Sequence, residues 1–211
     1  MKMCQRLEMI SVSKQLDMQV KRQFARGSGF ARTKELAAAG FSSAFIARLA
    51  REGDIVRVKR GLYRWHQGES PGSLIEACRI VPGGVVCLLS ALSVYEVGTK
   101  VPREIHLAIP RKARTPLLPL YPPIRLAYFS DLQYQIGITA VKYNGVDVPI
   151  YDLEKTICDC ARYRNKIGYD VFREAVTEYL RQPGRNIDKL LDYAQKLRVW
   201  SIIHPAVLAM A

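Results

Sequence analysis

Ser42-Ser43-Ala44-Phe45-Ile46-Ala47-Arg48-Leu49-Ala50-Arg51-Glu52-Gly53 runs straight into Asp54-Ile55-Val56-Arg57-Val58-Lys59-Arg60-Gly61-Leu62-Tyr63-Arg64-Trp65. Ser42 is a cap and Gly53 a stop, which predicts a helix over 43–52. Phe45, Ile46 and Leu49 fall on its core side. Ala44, Ala47, Arg48 and Arg51 fall at i, i+3, i+4 and i+7 and form a second stripe. Small residues let a helix approach base edges closely, and arginine takes guanine bidentately or holds phosphate. Ser43, at the helix N-terminus, can donate to phosphate. Beyond Gly53, Val56 and Val58 alternate with Arg57 and Lys59, a strand period with one apolar and one basic face. Arg60-Gly61 supplies a turn, and Leu62 to Trp65 returns as the partner strand.

Working back toward the N-terminus, Gly27-Ser28-Gly29 is a break. Before it, Leu16, Val20 and Phe24 recur every four residues between basic side chains, an amphipathic helix. After it, Thr33 is placed to cap a short helix over 34–39 that ends at Gly40. Two helices joined through Gly40-Phe41 have helix-turn-helix spacing. The hairpin that follows, with a basic face and tip, is a wing. Residues 1–66 are therefore expected to form a winged helix-turn-helix DNA-binding domain, with 1–14 as an extension that the pattern does not require. The charge agrees. The 211-residue chain carries 32 Lys+Arg against 19 Asp+Glu, a net charge of +13, and residues 1–66 hold +9 of it. Positive charge concentrated on one small module points to a polyanion.

Residues 67–72, polar with Pro and Gly, read as a boundary, and 73–211 as a second, α+β domain. Ser73-x-x-Glu76 is a capping box opening a helix through Ile80. A second helix is expected over 88–97. Strands are expected over 104–109 and 124–129, with a proline-rich loop between them. Residues 138–143 and 146–150 read as a hairpin around Asn144-Gly145. Asp152 caps a helix to about Arg164, and two more helices are expected over 169–181 and 187–198. The fold class is α+β, a winged helix-turn-helix followed by a small antiparallel sheet packed by helices.

No catalytic constellation stands out. A Gly-rich phosphate loop, a G-x-S-x-G elbow and an H-E-x-x-H pair are all missing from the sequence. Asp152, Glu154 and Asp159 lie close in sequence, but Asp152 reads as a helix cap and Asp159 falls one helical face away from Glu154, so they read as structural residues rather than a metal set. Five cysteines at irregular spacing do not make a disulfide framework, and Cys158-x-Cys160 reads as reduced, half-buried thiols. Arg103, Arg111, Lys112 and Arg114 cluster near the proline-rich loop, as a solvated surface or as a contact to a partner. The longest uncharged stretch, residues 80–95, is too short to span a bilayer. Met1 to Lys14 shows no signal-peptide pattern. A soluble, cytoplasmic protein is expected, without membrane contact, cofactor or metal.

Thr33-Lys34-Glu35-Leu36-Ala37-Ala38-Ala39-Gly40-Phe41-Ser42, together with the runs 48–55 and 57–63, resembles the N-terminal winged helix of AbiEi-type antitoxins. Leu89-Ser90-Ala91-Leu92-Ser93, the strand Ile105-His106-Leu107-Ala108-Ile109 and the run 148–157 resemble the C-terminal domain of that family. The resemblance covers roughly residues 15–200 in the same order. It implies a DNA-binding antitoxin of a prokaryotic type IV toxin–antitoxin, or abortive-infection, system. Such a protein represses its own operon by binding inverted repeats upstream of it. Its C-terminal domain counters a nucleotidyltransferase-like toxin, without a stable complex, and it is not an enzyme. Carried over by position, Arg48 and Arg51 are recognition-helix contacts, and Arg57, Lys59 and Arg60 are wing contacts. Asp152, Glu154, Lys155 and Thr156 match a family-like segment and are candidates for the antitoxin function, although the same residues equally start a helix. The alternatives are a winged-helix repressor without a toxin partner and an enzyme acting on nucleic acid.

Overall fold

A computed structural model describes residues 16–66 and 72–210, so the expected N-terminal extension and most of the expected boundary segment lie outside the described residues. The described residues divide into two compact units, one that ends at Ser73 and includes Leu117–Pro119, and the other of the remainder.

In the first unit, helix α1 (16–26) is followed by β1 (Phe30–Arg32), α2 (Thr33–Ala38), α3 (Ser43–Glu52), β2 (Ile55–Lys59) and β3 (Leu62–Trp65). The three helices close on Val20, Phe24, Leu36, Phe41, Ile46 and Leu49, all buried in one cluster with Ala31 and Ile55. Burying each large apolar side chain contributes about 1.5–3 kcal/mol. Ser42 caps α3 by accepting from the Phe45 N–H at 3.2 Å, and Gly53 ends it in the left-handed region at φ 83°.

Four expectations for this unit are corrected. Thr33 is not the cap of α2. It is the first helical residue, and Arg32 takes the cap position, its N–H donating to Glu35 Oε2 at 2.7 Å. The wing has a third strand, β1, which pairs with β3 antiparallel, giving the order β1-β3-β2. Arg57 and Lys59 do not share one basic face. A β-bulge between them sets Arg57 opposite Tyr63 and Lys59 opposite Leu62. Tyr63 and Leu62 are successive residues, so the two basic positions align with opposite sides of the ladder. Ile55 rather than Val56 meets the helical core; Val56 is 38 % exposed.

The second unit begins with α4 (Ser73–Ile80), β4 (Val85–Val86), α5 (Leu88–Val94), β5 (Ile105–Pro110) and β6 (Ile124–Phe129). It continues with α6 (Asp131–Gln135), β7 (Ile138–Tyr143) and β8 (Val146–Tyr151). Helices α7 (Leu153–Ile167), α8 (Tyr169–Arg181), α9 (Ile187–Lys196) and α10 (Trp200–Met210) close the chain. The α+β class holds, but this sheet is mixed rather than antiparallel. Its order is β6-β5-β4-β8-β7, with β5–β6 and β4–β8 parallel. The proline-rich segment 111–123 is long enough to carry the chain back to the starting end of β5, as a parallel pair requires. The β7–β8 hairpin turns on Asn144 and Gly145, both at positive φ. Helix α5 is shorter than expected and stops before Glu96, whose φ is 56°. Helix α7 packs against α5, and α8, α9 and α10 pack on α7, in one core with Phe129, Tyr151, Ile157, Phe172 and Tyr179. Among the described residues, no helix is long and apolar enough to cross a membrane.

Candidate nucleic-acid interface

Helix α3 separates its two stripes cleanly. Ile46 and Leu49 are buried and Phe45 half-buried, while Ser43, Ala44, Ala47, Arg48 and Arg51 are all exposed. The five candidate residues of this helix therefore lie together on its outer side. Phe45 stacks on Phe41 with ring centroids 5.4 Å apart, which fixes the helix on the turn that precedes it. The Arg48 guanidinium rests 4.9 Å from the Phe45 ring centroid, and its Nε lies 3.8 Å from Glu52 Oε2. Arg48 is thus held near the base of the stripe, and Glu52 is an acidic residue that sequence reading did not bring into the site.

The wing residues differ among themselves. Arg57 and Arg60 are exposed, and Arg60 with Gly61 forms the hairpin tip. Lys59 is half-buried, and its ammonium is held below the usual lysine range by burial and by the Arg32 charge nearby. The cation Arg32 is therefore another part of the wing that the sequence did not single out. Its place became visible only once β1 was seen beside β3.

The four candidates in the second unit sit at the start of α7, and each is engaged by the fold. The Lys155 N–H donates to Asp152 Oδ1 at 2.9 Å, and the Thr156 hydroxyl donates to the Asp152 carbonyl at 2.8 Å. Asp152 and Glu154 both receive Lys189, at 3.1 Å each, while Tyr193 donates to Asp152 and Tyr179 to Glu154. Burial lowers the Lys189 pKa, but the hydrogen bonds and charges of the two carboxylates outweigh it and the net shift is upward. Lys155 turns away from this group into the core. It donates to Asp159, which also accepts from Gln133 Nε2 at 3.1 Å, and it lies over Tyr151 and Phe129. Burial holds the Asp159 carboxyl above its usual range, and Lys155 and Gln133 offset this only in part. Lys155, Thr156 and Asp159 have no exposed surface.

Cys158 and Cys160 are fully rather than half buried, and burial pushes both thiols well above the ordinary range. Their place on the inner side of an amphipathic helix explains it. Arg111, Lys112 and Arg114 are exposed on the crossover after β5, with Lys112 3.5 Å from Asp131. Among the described residues, no group of three potential ligands could hold a metal ion.

The fold of the chain is similar to the crystal structure of the RV2827C protein from Mycobacterium tuberculosis. The TM-score is 0.52 at 14% identity, over 92% of this chain and 80% of that one. The comparison with curated proteins finds no match. Residues 18–65, the segment that folds as three helices and a wing, match the family described as transcriptional regulator, AbiEi antitoxin.

Proposed function

We propose that the first unit binds double-stranded DNA at inverted repeats upstream of the protein's own operon and represses it. Helix α3 enters the major groove with Ser43, Ala44, Ala47, Arg48 and Arg51 toward the DNA. Arg57, Lys59 and Arg60 hold the flanking backbone. The observation that carries this reading is the exposed stripe of small residues and arginines on a helix whose other side is locked into the core. Small side chains at 44 and 47 allow close approach, and the arginines supply base or phosphate contacts.

The second part of the proposal is that residues 73–211 counter a nucleotidyltransferase-like toxin, by a functional rather than a stable contact. This rests on the antitoxin family matched by residues 18–65. Because that match ends at Tyr63-Arg64-Trp65, a winged-helix repressor without a toxin partner is the second reading.

The test combines footprinting with growth. The full chain should protect an inverted repeat upstream of its gene and relieve toxicity of the neighbouring gene product. The double variant Arg48→Ala/Arg51→Ala should lose protection and keep rescue. A harmless neighbour with intact protection supports the second reading. Absence of protection anywhere upstream contradicts both.

A further inference from the structure

The second unit contains a cavity of about 510 Å³, lined only by residues of that unit. Its lining includes the buried residues Leu88, Leu89, His106, Ala127 and Ile167. Four exposed cations, Lys100, Arg103, Arg125 and Lys166, also line it, against one carboxylate, Glu104. Two of the cations are engaged locally. Lys100 Nζ donates to the Ile167 carbonyl at 2.9 Å, and Arg125 Nε to Glu104 Oε2 at 2.6 Å. Arg103 and Lys166 have no carboxylate partner among the described residues, and Lys166 lies 5.5 Å from the Tyr163 ring centroid.

Two further features mark this cavity. The His106 ring belongs to the lining, with its Nδ1 buried. Burial and the Arg125 charge hold its pKa below the usual value, so the ring is neutral near pH 7 and does not add to the charge of the site. Leu88, also in the lining, starts α5 at φ 48°, a left-handed conformation that a bulky side chain adopts only under constraint. Such strain concentrates at binding sites. An apolar cavity of this size with a few convergent polar groups is the form taken by small-molecule sites.

We propose that this cavity binds a small organic anion. Its apolar body sits on Leu88, Leu89 and Ala127, and its carboxylate or phosphate faces Arg103 and Lys166. The excess of cations selects against neutral and cationic molecules, and the apolar lining selects against inorganic ions. This site is independent of the DNA-binding reading, and its test requires neither DNA nor a toxin.

The test is fluorescence titration of the full chain with anilinonaphthalene sulfonate, an aromatic anion, near neutral pH and physiological salt. One saturable site is expected. The double variant Arg103→Glu/Lys166→Glu should weaken it by about tenfold or more, because both charge-assisted contacts become repulsive. The uncharged phenylnaphthylamine should bind both proteins alike. Arg111→Glu/Arg114→Glu makes the same change in net charge outside the cavity and should keep the original affinity. Circular dichroism confirms that both variants are folded. Displacement of the dye by phenyl phosphate alone assigns a phosphate head, and displacement by benzoate alone a carboxylate. Absence of saturable binding, equal affinity in the Arg103/Lys166 variant, or displacement by neither competitor overturns the proposal.

Discussion

Arg48 rests its guanidinium on the face of Phe45, 4.9 Å from the ring centroid, on the exposed side of α3. The aromatic face holds the cation by electrostatic attraction and limits its rotamers before any DNA arrives. Glu52, one turn on, lies 3.8 Å from the Nε of the same side chain. Arg48→Ala should weaken binding to the cognate operator by about 1–3 kcal/mol and relax sequence preference, if the residue reads a base. Phe45→Leu keeps most of the packing and removes the platform. It should cost a smaller amount, about 0.5–1 kcal/mol, with no change in salt dependence. Electrophoretic titration on cognate and scrambled duplexes reads both.

Lys59 and Arg48 should behave differently. A wing cation on phosphate contributes equally to every sequence, so Lys59→Ala should weaken all duplexes alike and reduce the log–log salt slope by about 1. Equal losses for both variants on every sequence would place Arg48 on phosphate too.

The Lys155–Asp159 pair is fully buried, so each charge depends on the other. Asp159→Ala leaves the ammonium unpaired among aromatic rings and should destabilise the second unit by about 3–5 kcal/mol. The double replacement Lys155→Met/Asp159→Leu should lose less than that, since it removes both desolvation penalties together. Urea unfolding followed by circular dichroism separates the two outcomes. A double variant as unstable as the single would show that shape rather than charge governs this site.

Gly137 and Gly145 both have positive φ, 74° and 77°. A Cβ at 145 meets nothing within 4 Å, whereas one at 137 would lie 2.7 Å from Lys155 Cβ and 3.1 Å from Asp152 Oδ2. Gly145→Ala should therefore cost only the backbone strain, about 1 kcal/mol. Gly137→Ala should cost clearly more, because the start of α7 must shift. Paired thermal melts measure the difference.

Burial and Arg125 depress the His106 pKa in the folded chain. The unfolded chain then takes up a proton at a higher pH than the folded one. The stability this residue contributes is fully present above about 6.5, the unfolded value, and falls as pH drops through the folded pKa. His106→Asn should flatten the dependence of unfolding free energy on pH between neutral and mildly acidic conditions. Parallel curves for the two proteins would contradict the assignment.

How far the sequence carried the fold depended on whether the signal was local. Ser42, Gly53 and the stripe between them are contained in twelve residues, and α3 folds as that pattern dictates. Asn144-Gly145 and Asp152 are equally local, and the hairpin and the α7 cap follow from them. Strands β1 and β4 have three and two residues, too short to show alternation, so the third wing strand and the centre of the larger sheet were not legible. Parallel pairing of β5 with β6 is a choice made in space, and no residue in 111–123 announces it. Helix α10 contains Pro205, and the described part has no Lys, Arg, Asp or Glu to mark a polar side. The exposed side of α3 was legible for the same local reason as the helix itself. The cavity was not, because residues 88–89, 100–106, 125–127 and 163–167 meet only after folding.

The central claim, that α3 and the wing form a DNA-binding surface, is tested most directly by the salt dependence of binding to the upstream duplex. The full chain should bind with a log–log slope of about −5, as expected for five or six phosphate contacts. Arg48→Ala/Arg51→Ala should remove the preference for that duplex over a scrambled one. A slope near zero, or a preference that survives the double variant, would contradict the account.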